Sequence, residues 1–249
     1  MRGRIRRGSN AGNENISPDN THSNSYEPIP GTIKAVKARL SEIFSGCSDF
    51  THREISYRKN SLIRILVAYI NGFVDKRALN QDVIHPLLDF LSNAESNESG
   101  RIYEQLKEWV VINNDIKEAN DMGQAVDNIL SGEALLFIDG ESKALVIGVK
   151  DPQGRQVAEP DTEVSIRGSR EGFVENLFSN IILIRKRIKN PNLKVEMIKL
   201  GEQTMTDVCI CYIKEIANEK LVSEVKERLK RIKTDAILDT GIIEQYISD

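Results

Sequence analysis

The stretch Ala134-Leu-Leu-Phe-Ile-Asp-Gly-Glu-Ser-Lys-Ala-Leu-Val-Ile-Gly-Val149 sets two short apolar runs on either side of Asp139-Gly140. Asp-Gly is the dipeptide favoured by type I′ hairpin turns, whose two central residues both need positive φ. Ala134 to Ile138 and Ala144 to Val149 are therefore expected to be antiparallel neighbours. Tight turns cannot join parallel strands, so one continuous parallel Rossmann sheet is disfavoured.

Upstream of this hairpin, Asp121 can cap a short helix carrying Met122, Ala125, Val126, Ile129 and Leu130, which Gly132 ends. Further back, Thr32 can cap a helix whose Ile33, Val36, Leu40, Ile43 and Phe44 step by threes and fours until Gly46. Phe50 to Tyr57 and Leu62 to Ile70 read as extended, and Asn71-Gly72 is a turn signal with a hairpin expected there. Asp75 and Asp82 offer N-caps for helical segments ending near Leu91. Ser92 to Gly100 is a polar connector, after which Tyr103, Leu106 and Val110 keep a helical period through Trp109 to Ile112. Downstream, a helix is expected over residues 172–189, with Phe173, Leu177, Ile181, Ile184 and Ile188 on one stripe. Arg185, Lys186 and Arg187 would favour its dipole, and Asn190-Pro191-Asn192 stops it. Strands at Leu193 to Leu200 and Val208 to Ile213 follow, then a helix bearing Leu221, Val222, Val225, Leu229 and Ile232.

These elements imply an α/β fold of the α+β type with two small subdomains, each a mixed or antiparallel sheet with packed helices. Residues 1–31 hold three prolines, five asparagines, four serines and four glycines, and are expected to be a flexible arm. The first subdomain is then 32–115 and the second 116–249, the boundary being expected from the polar Ser92 to Gly100 connector and the polar segment Asn113 to Asn120.

Composition bounds the function. Of 249 residues, 40% are apolar, enough for a real core, and 34 Lys+Arg against 37 Asp+Glu leave a net charge of -3. That is not the polycation of a general nucleic-acid binder, and no nucleic-acid partner is expected. The Arg2, Arg4, Arg6 and Arg7 cluster is nearly cancelled by acidic residues further along the arm. Lys226, Arg228, Lys230, Arg231 and Lys233 share a helix face with Glu224 and Glu227, which reads as solvated. The longest strictly apolar runs, such as Ile65 to Ile70, have six residues, against about 18 for a bilayer-spanning helix. Cys47, Cys209 and Cys211 are sparse, and no signal peptide is apparent, so a reducing compartment is expected. Alternation puts both thiols of Cys209 and Cys211 on one strand face, read as core. His22, His52 and His85 are scattered singly; no metal and no cofactor is expected.

The segment from Val157 to Phe173 is dense in charge and poor in regular pattern. Glu159, Asp161, Glu163 and Glu171 accompany Arg167 and Arg170 within thirteen residues. Two readings compete. In one, the carboxylates and guanidinium groups pair and pin a long connection, Gly168 and Gly172 relieve strain, and Ser169 caps the helix. In the other, Arg167 and Arg170 beside a helix N-terminus hold an anion, from a ligand or from a partner's acidic side chain. Arg167-Gly-Ser-Arg-Glu-Gly172 is neither a Walker loop nor Gly-x-Gly-x-x-Gly, so a nucleotide site is not supported. Asp161 and Glu163 could form the carboxylate pair of a hydrolase or transferase, but no nucleophile with a His partner accompanies them.

The run Glu159-Pro-Asp-Thr-Glu-Val-Ser-Ile-Arg-Gly-Ser-Arg-Glu-Gly-Phe173 follows Leu-Leu-Phe-Ile-Asp-Gly. It precedes Asn176-Leu-x-x-Asn-Ile-x-Leu-Ile-Arg-x-Arg-Ile188. Together they resemble the signature of the A subunits of GerA-type spore germinant receptors. The resemblance continues through Tyr212-Ile213 and Asp239-Thr-Gly-Ile-Ile-Glu244, reaches back to about Ile33, and leaves out the arm. It implies the N-terminal domain of a non-enzymatic membrane receptor in the inner spore membrane, with this domain on the core side. It also implies B and C subunits as partners, a membrane attachment through a C-terminal region missing here, and nutrients such as amino acids, sugars or nucleosides as signals. Two subdomains reminiscent of solute-binding proteins are implied as well. On this reading Glu159, Asp161, Glu163, Arg167, Gly168, Ser169, Arg170, Glu171 and Phe173 are the expected ligand or interface residues. The role is sensing, signal transduction or assembly, the alternative being a rigid scaffold that binds no ligand.

Overall fold

The computed structural model describes residues 27–58, 62–93, 103–107, 116–149 and 172–248. Its elements are α1 (Ile33–Ile43), β1 (Phe50–Arg58), β2 (Leu62–Ile70), α2 (Lys76–Ala78), α3 (His85–Asn93) and α4 (residues 103–107). Then come β3 (Ile116–Ala119), α5 (Met122–Leu130), β4 (Ala134–Ile138), β5 (Ala144–Ile147), α6 (Leu177–Arg187), β6 (Leu193–Leu200), β7 (Thr206–Ile213), α7 (Glu219–Arg231) and α8 (Thr240–Ile247).

Five strands form an antiparallel sheet in the order β1-β2-β4-β5-β3. Its central strands are apolar without alternation because both faces are covered, as β4 shows with all five residues buried. Leu66, Ala68, Leu135 and Phe137 face α1 and α5, where Val36, Leu40, Met122 and Ile129 pack. Ile65, Val67, Leu136 and Leu145 face Leu79, Leu87, Leu91 and Leu106 on the α2–α4 side. A second, two-stranded antiparallel sheet pairs β6 with β7. Leu193, Val195 and Met197 pack on Ile181 and Ile184 of α6, while Leu200, Val208 and Ile210 pack on Val225 and Leu229 of α7 and Ile243 of α8.

The expected α+β class with antiparallel sheets is thus observed, but several expected details are not. The division after residue 115 does not coincide with a break between sheets. β2 from the first expected unit is hydrogen-bonded to β4 from the second, Ile65 opposite Ile138. The polar stretch read as a boundary contains β3, an edge strand whose exposure tolerates Lys117 and Glu118. Polar composition there marks a sheet edge and not the end of a core. Asn71-Gly72 leads from β2 towards α2, and the hairpin partner of β2 is instead β1. Asp75 is a cap, accepting from the Arg77 and Ala78 N–H groups, whereas Asp82 lies inside a π-helical segment, Leu79–Ile84. Trp109 falls outside the described residues.

Asp139-Gly140 does turn the chain between β4 and β5, yet only Gly140 has positive φ, +94°. The turn is therefore not type I′. Asp139 also anchors a helix, since its carboxylate accepts from the Ile33 N–H at 2.9 Å and from Arg64 Nη2 at 2.7 Å, tying the start of α1 to β2. Burial favours the neutral carboxyl, but these two donors outweigh it and hold Asp139 below the usual carboxylate range. The stability it contributes is then present above the ordinary carboxylate pKa and lost as pH falls through the folded value. Asp139→Ala is expected to cost about 1–3 kcal/mol in urea unfolding near neutral pH. Between about pH 5 and 3, Asp139→Asn should flatten the acid-side loss of stability relative to the native chain.

Candidate functional site at the junction of the two sheets

The two sheets meet where α1 hands over to β1. Gly46, at φ +74°, turns the chain out of α1, a conformation glycine adopts without strain. Residues 46–48 then run alongside β6: Ser48 N donates to Val195 O at 2.7 Å, and Val195 N donates to Gly46 O at 3.0 Å. Asp49 follows, and its carboxylate receives a bidentate pair from Arg185 of α6, Nε at 2.7 Å and Nη2 at 2.9 Å. Arg185 is 0% and Asp49 3% exposed. Arg185 Nη1 also donates to Asn190 O, and the Asp49 carbonyl accepts from Asn71 N at 2.7 Å. One residue thus joins α6, β1 and the end of β2.

Beside this pair sits Cys47, whose thiol donates to the Leu193 carbonyl at 3.5 Å. Burial pushes its pKa up, and the Arg185 charge opposes the shift. Next to it Lys194 is 4% exposed, its ammonium donating to Pro191 O at 3.0 Å and Ile43 O at 3.3 Å. Burial first, then the nearby Lys214 and Arg185 charges, push the Lys194 pKa down.

Lys194 lines a cleft of about 300 Å³ between the Ser45-Gly46 turn, the β6–β7 sheet and α7. Glu196, Tyr212, Lys214 and Lys226 line it as well. Glu196 accepts from the Tyr212 hydroxyl and from Lys226 Nζ, both at 2.6 Å, and that ammonium lies 5.5 Å from the Tyr212 ring. Burial disfavours the Glu196 charge, but the Lys226 and Tyr212 donors prevail and hold its carboxyl low. The groove between α7 and α8 is different in character. Its charges pair along one helix, Arg228 with Glu224 at 2.7 Å and Arg231 with Glu227 at 3.5 Å, consistent with a solvated face.

Of the expected site residues, Glu159, Asp161, Glu163, Arg167, Gly168, Ser169, Arg170 and Glu171 lie outside the described residues. Phe173 is described and 70% exposed. The helix expected from residue 172 begins at Leu177, and its cap is Asn176, which accepts from Ser179 N, not Ser169. Asn180 accounts for the delay: its side chain bonds Val174 N and O, both at 2.8 Å, fixing residues 174–176 outside the helix. Arg185, expected to serve the helix dipole, is instead buried. Its spacing carries the signal, since Arg185 stands four residues after Ile181 and three before Ile188 on the apolar stripe. The expected core face of β7 is half realised. Cys209 packs in the α6 cluster while Cys211 is exposed, the two sulfurs 3.5 Å apart. Asp49 and Lys194 carry no such spacing signal.

Fold and junction define a class: an α/β chain of two antiparallel-sheet units fastened by a buried ion pair. Among the described residues, no helix is long and apolar enough to cross a membrane. Residues 38–249 match the model of the Bacillus/Clostridium GerA spore germination protein family, and the chain belongs to that family. It is 37% identical over 220 residues to spore germination protein KA of Bacillus subtilis (strain 168), covering 88% of this chain and 40% of that protein. With spore germination protein GerLA of Bacillus cereus it is 28% identical over 221 residues, covering 89% of this chain and 44% of that protein. The chain therefore spans less than half the length of these relatives. Among solved structures, the N-terminal domain of the A subunit of the Bacillus megaterium spore germinant receptor GerK3 matches with a TM-score of 0.68 at 27% identity. That match covers 89% of this chain and 80% of the other. The family expected from Glu159 to Phe173 is confirmed, and it is named for germination, not for an enzymatic activity.

Removing one partner of the junction pair leaves a buried charge unpaired. Asp49→Ala or Arg185→Met is expected to lower unfolding stability in urea by roughly 3–5 kcal/mol. The double replacement Asp49→Leu with Arg185→Met should lose clearly less than either single change, because neither charge is left behind.

Proposed function

We propose that this chain is the N-terminal domain of a germinant-receptor A subunit and that it couples a nutrient signal to the rest of the receptor. On this reading it is not an enzyme. Its partners are the receptor's B and C subunits, its membrane anchor lies outside this chain, and it works on the core side of the inner spore membrane. The supporting observation is the Asp49–Arg185 pair. It fastens α6, the helix that follows the Glu159 to Phe173 segment, to the five-stranded sheet 136 residues earlier in the sequence. A displacement at the head of α6 would be passed to β1 and β2 through that contact. The reading of Glu159, Asp161, Glu163, Arg167, Gly168, Ser169, Arg170, Glu171 and Phe173 as a ligand or interface segment belongs to this proposal, since they precede that helix.

A second reading, a rigid scaffold that only supports assembly, is favoured by the same pair, because a bidentate buried contact holds two units in one arrangement. The apolar swap Asp49→Leu with Arg185→Met separates the two readings. It is placed in the full-length receptor of the spore-forming host, and receptor abundance is checked by immunoblot. Slowed or abolished loss of optical density on adding a mixture of amino acids, sugars and nucleosides is the expected result. An unchanged germination rate at normal abundance would favour the scaffold.

A further inference from the structure

We propose that the cleft between the Ser45-Gly46 turn, β6, β7 and α7 binds the carboxylate of a small organic anion. Lys194 is buried, and its ammonium donates to two main-chain carbonyls, which engage two of its three N–H donors without neutralising its charge. Among the described residues, no carboxylate forms an ion pair with Lys194 or with Lys214. A buried cation without a counter-ion is costly, and an acceptor carrying negative charge would offset that cost. Of the two acidic residues lining the cleft, Glu196 is already engaged by Tyr212 and Lys226. Its engagement also weakens its repulsion of an incoming anion.

The remaining lining supports the same chemistry. Lys214 lines the cleft and is exposed, where it can meet an anion entering from solvent, and Ser45 and Ser223 line it as well. Glu219 at the rim is the opposing charge. The volume, about 300 Å³, is at the small end of ligand sites and suits a compact molecule, not a peptide. Tyr212 adds a ring face for an apolar part of the ligand. The cleft is lined by residues of this chain, so binding there is measured on the purified chain without a spore.

Isothermal titration calorimetry of the purified chain tests it at constant ionic strength, with acetate, succinate and inorganic phosphate as probes and chloride as the balancing ion. Saturable binding of succinate or acetate, weakened about tenfold by Lys214→Gln and lost in Lys214→Glu, is the expected result. Lys214 is exposed, so these variants test the site without disturbing the fold. Lys194→Met is a second test, made once circular dichroism shows that the variant is folded, and it should abolish binding. Binding of phosphate alone would replace the carboxylate with an inorganic anion and overturn the assignment. So would the absence of saturable binding, or binding that Lys214→Glu leaves unchanged.

Discussion

The bidentate contact between Arg185 and Asp49 is the constraint on which the arrangement of the two sheets depends. Taking both charges out of water is expensive, and the contact offsets that cost only because its geometry is nearly complete. Two parallel N–H···O bonds meet the carboxylate and a third donor reaches the Asn190 carbonyl. To reach Asp49, α6 must lie against the two-stranded sheet with Arg185 pointing back towards β1. Asp49 must in turn follow a segment that runs beside β6. The Cys47 and Ser48 backbone positions, the end of β2 at Asn71 and the stop at Asn190 all meet around this one ion pair.

The cleft follows from that arrangement. Because residues 46–48 lie beside β6, the Lys194 side chain is trapped between the end of α1 and the β6–β7 sheet, where among the described residues its ammonium reaches the Ile43 and Pro191 carbonyls. On the same strand face, two residues on, Glu196 finds partners from β7 and α7. Neighbouring side chains of opposite charge therefore have different fates: among the described residues Glu196 has a charged partner and Lys194 has none. Arg185 is neutralised by Asp49, and among the described residues neither Lys194 nor Lys214 forms an ion pair, with Glu219 the opposing charge in the cleft. A positive cleft next to the contact that sets the sheet geometry is a place where occupancy and arrangement would be energetically linked.

Much of the fold was legible because its elements obey local rules. Asp121, Thr32 and Asp75 each cap the helix their position implied, and the apolar runs at 134–138 and 144–147 pair as expected. What failed was the grouping of elements. β3 is half polar because it is an edge strand, and sequence polarity cannot distinguish an edge from a linker. The segment 159–173 identified the family, but residues 159–171 of it lie outside the described residues, so their chemistry was read from pattern alone. The junction went unread for a different reason. Asp49 and Lys194 acquire their importance from contacts 136 to 151 residues away in sequence, and no local periodicity reports such distances. Arg185 alone carried a trace, as a cation on the apolar stripe of its helix.

Well-packed apolar side chains of similar volume could hold the two sheets together with equal or greater stability than the ion pair. They would not fix the angle between α6 and β1 in the same way, since apolar contact is non-directional and tolerates sliding by fractions of a side chain. The guanidinium fork accepts one approach of the carboxylate, and a rotation that breaks either N–H···O bond exposes a buried charge. The energy surface at the junction is therefore steep near the observed arrangement. A domain built this way moves its two sheets as one body while the pair holds, and separates them only by a discrete step in which the pair is broken. Coupling through such a contact is all-or-none in character.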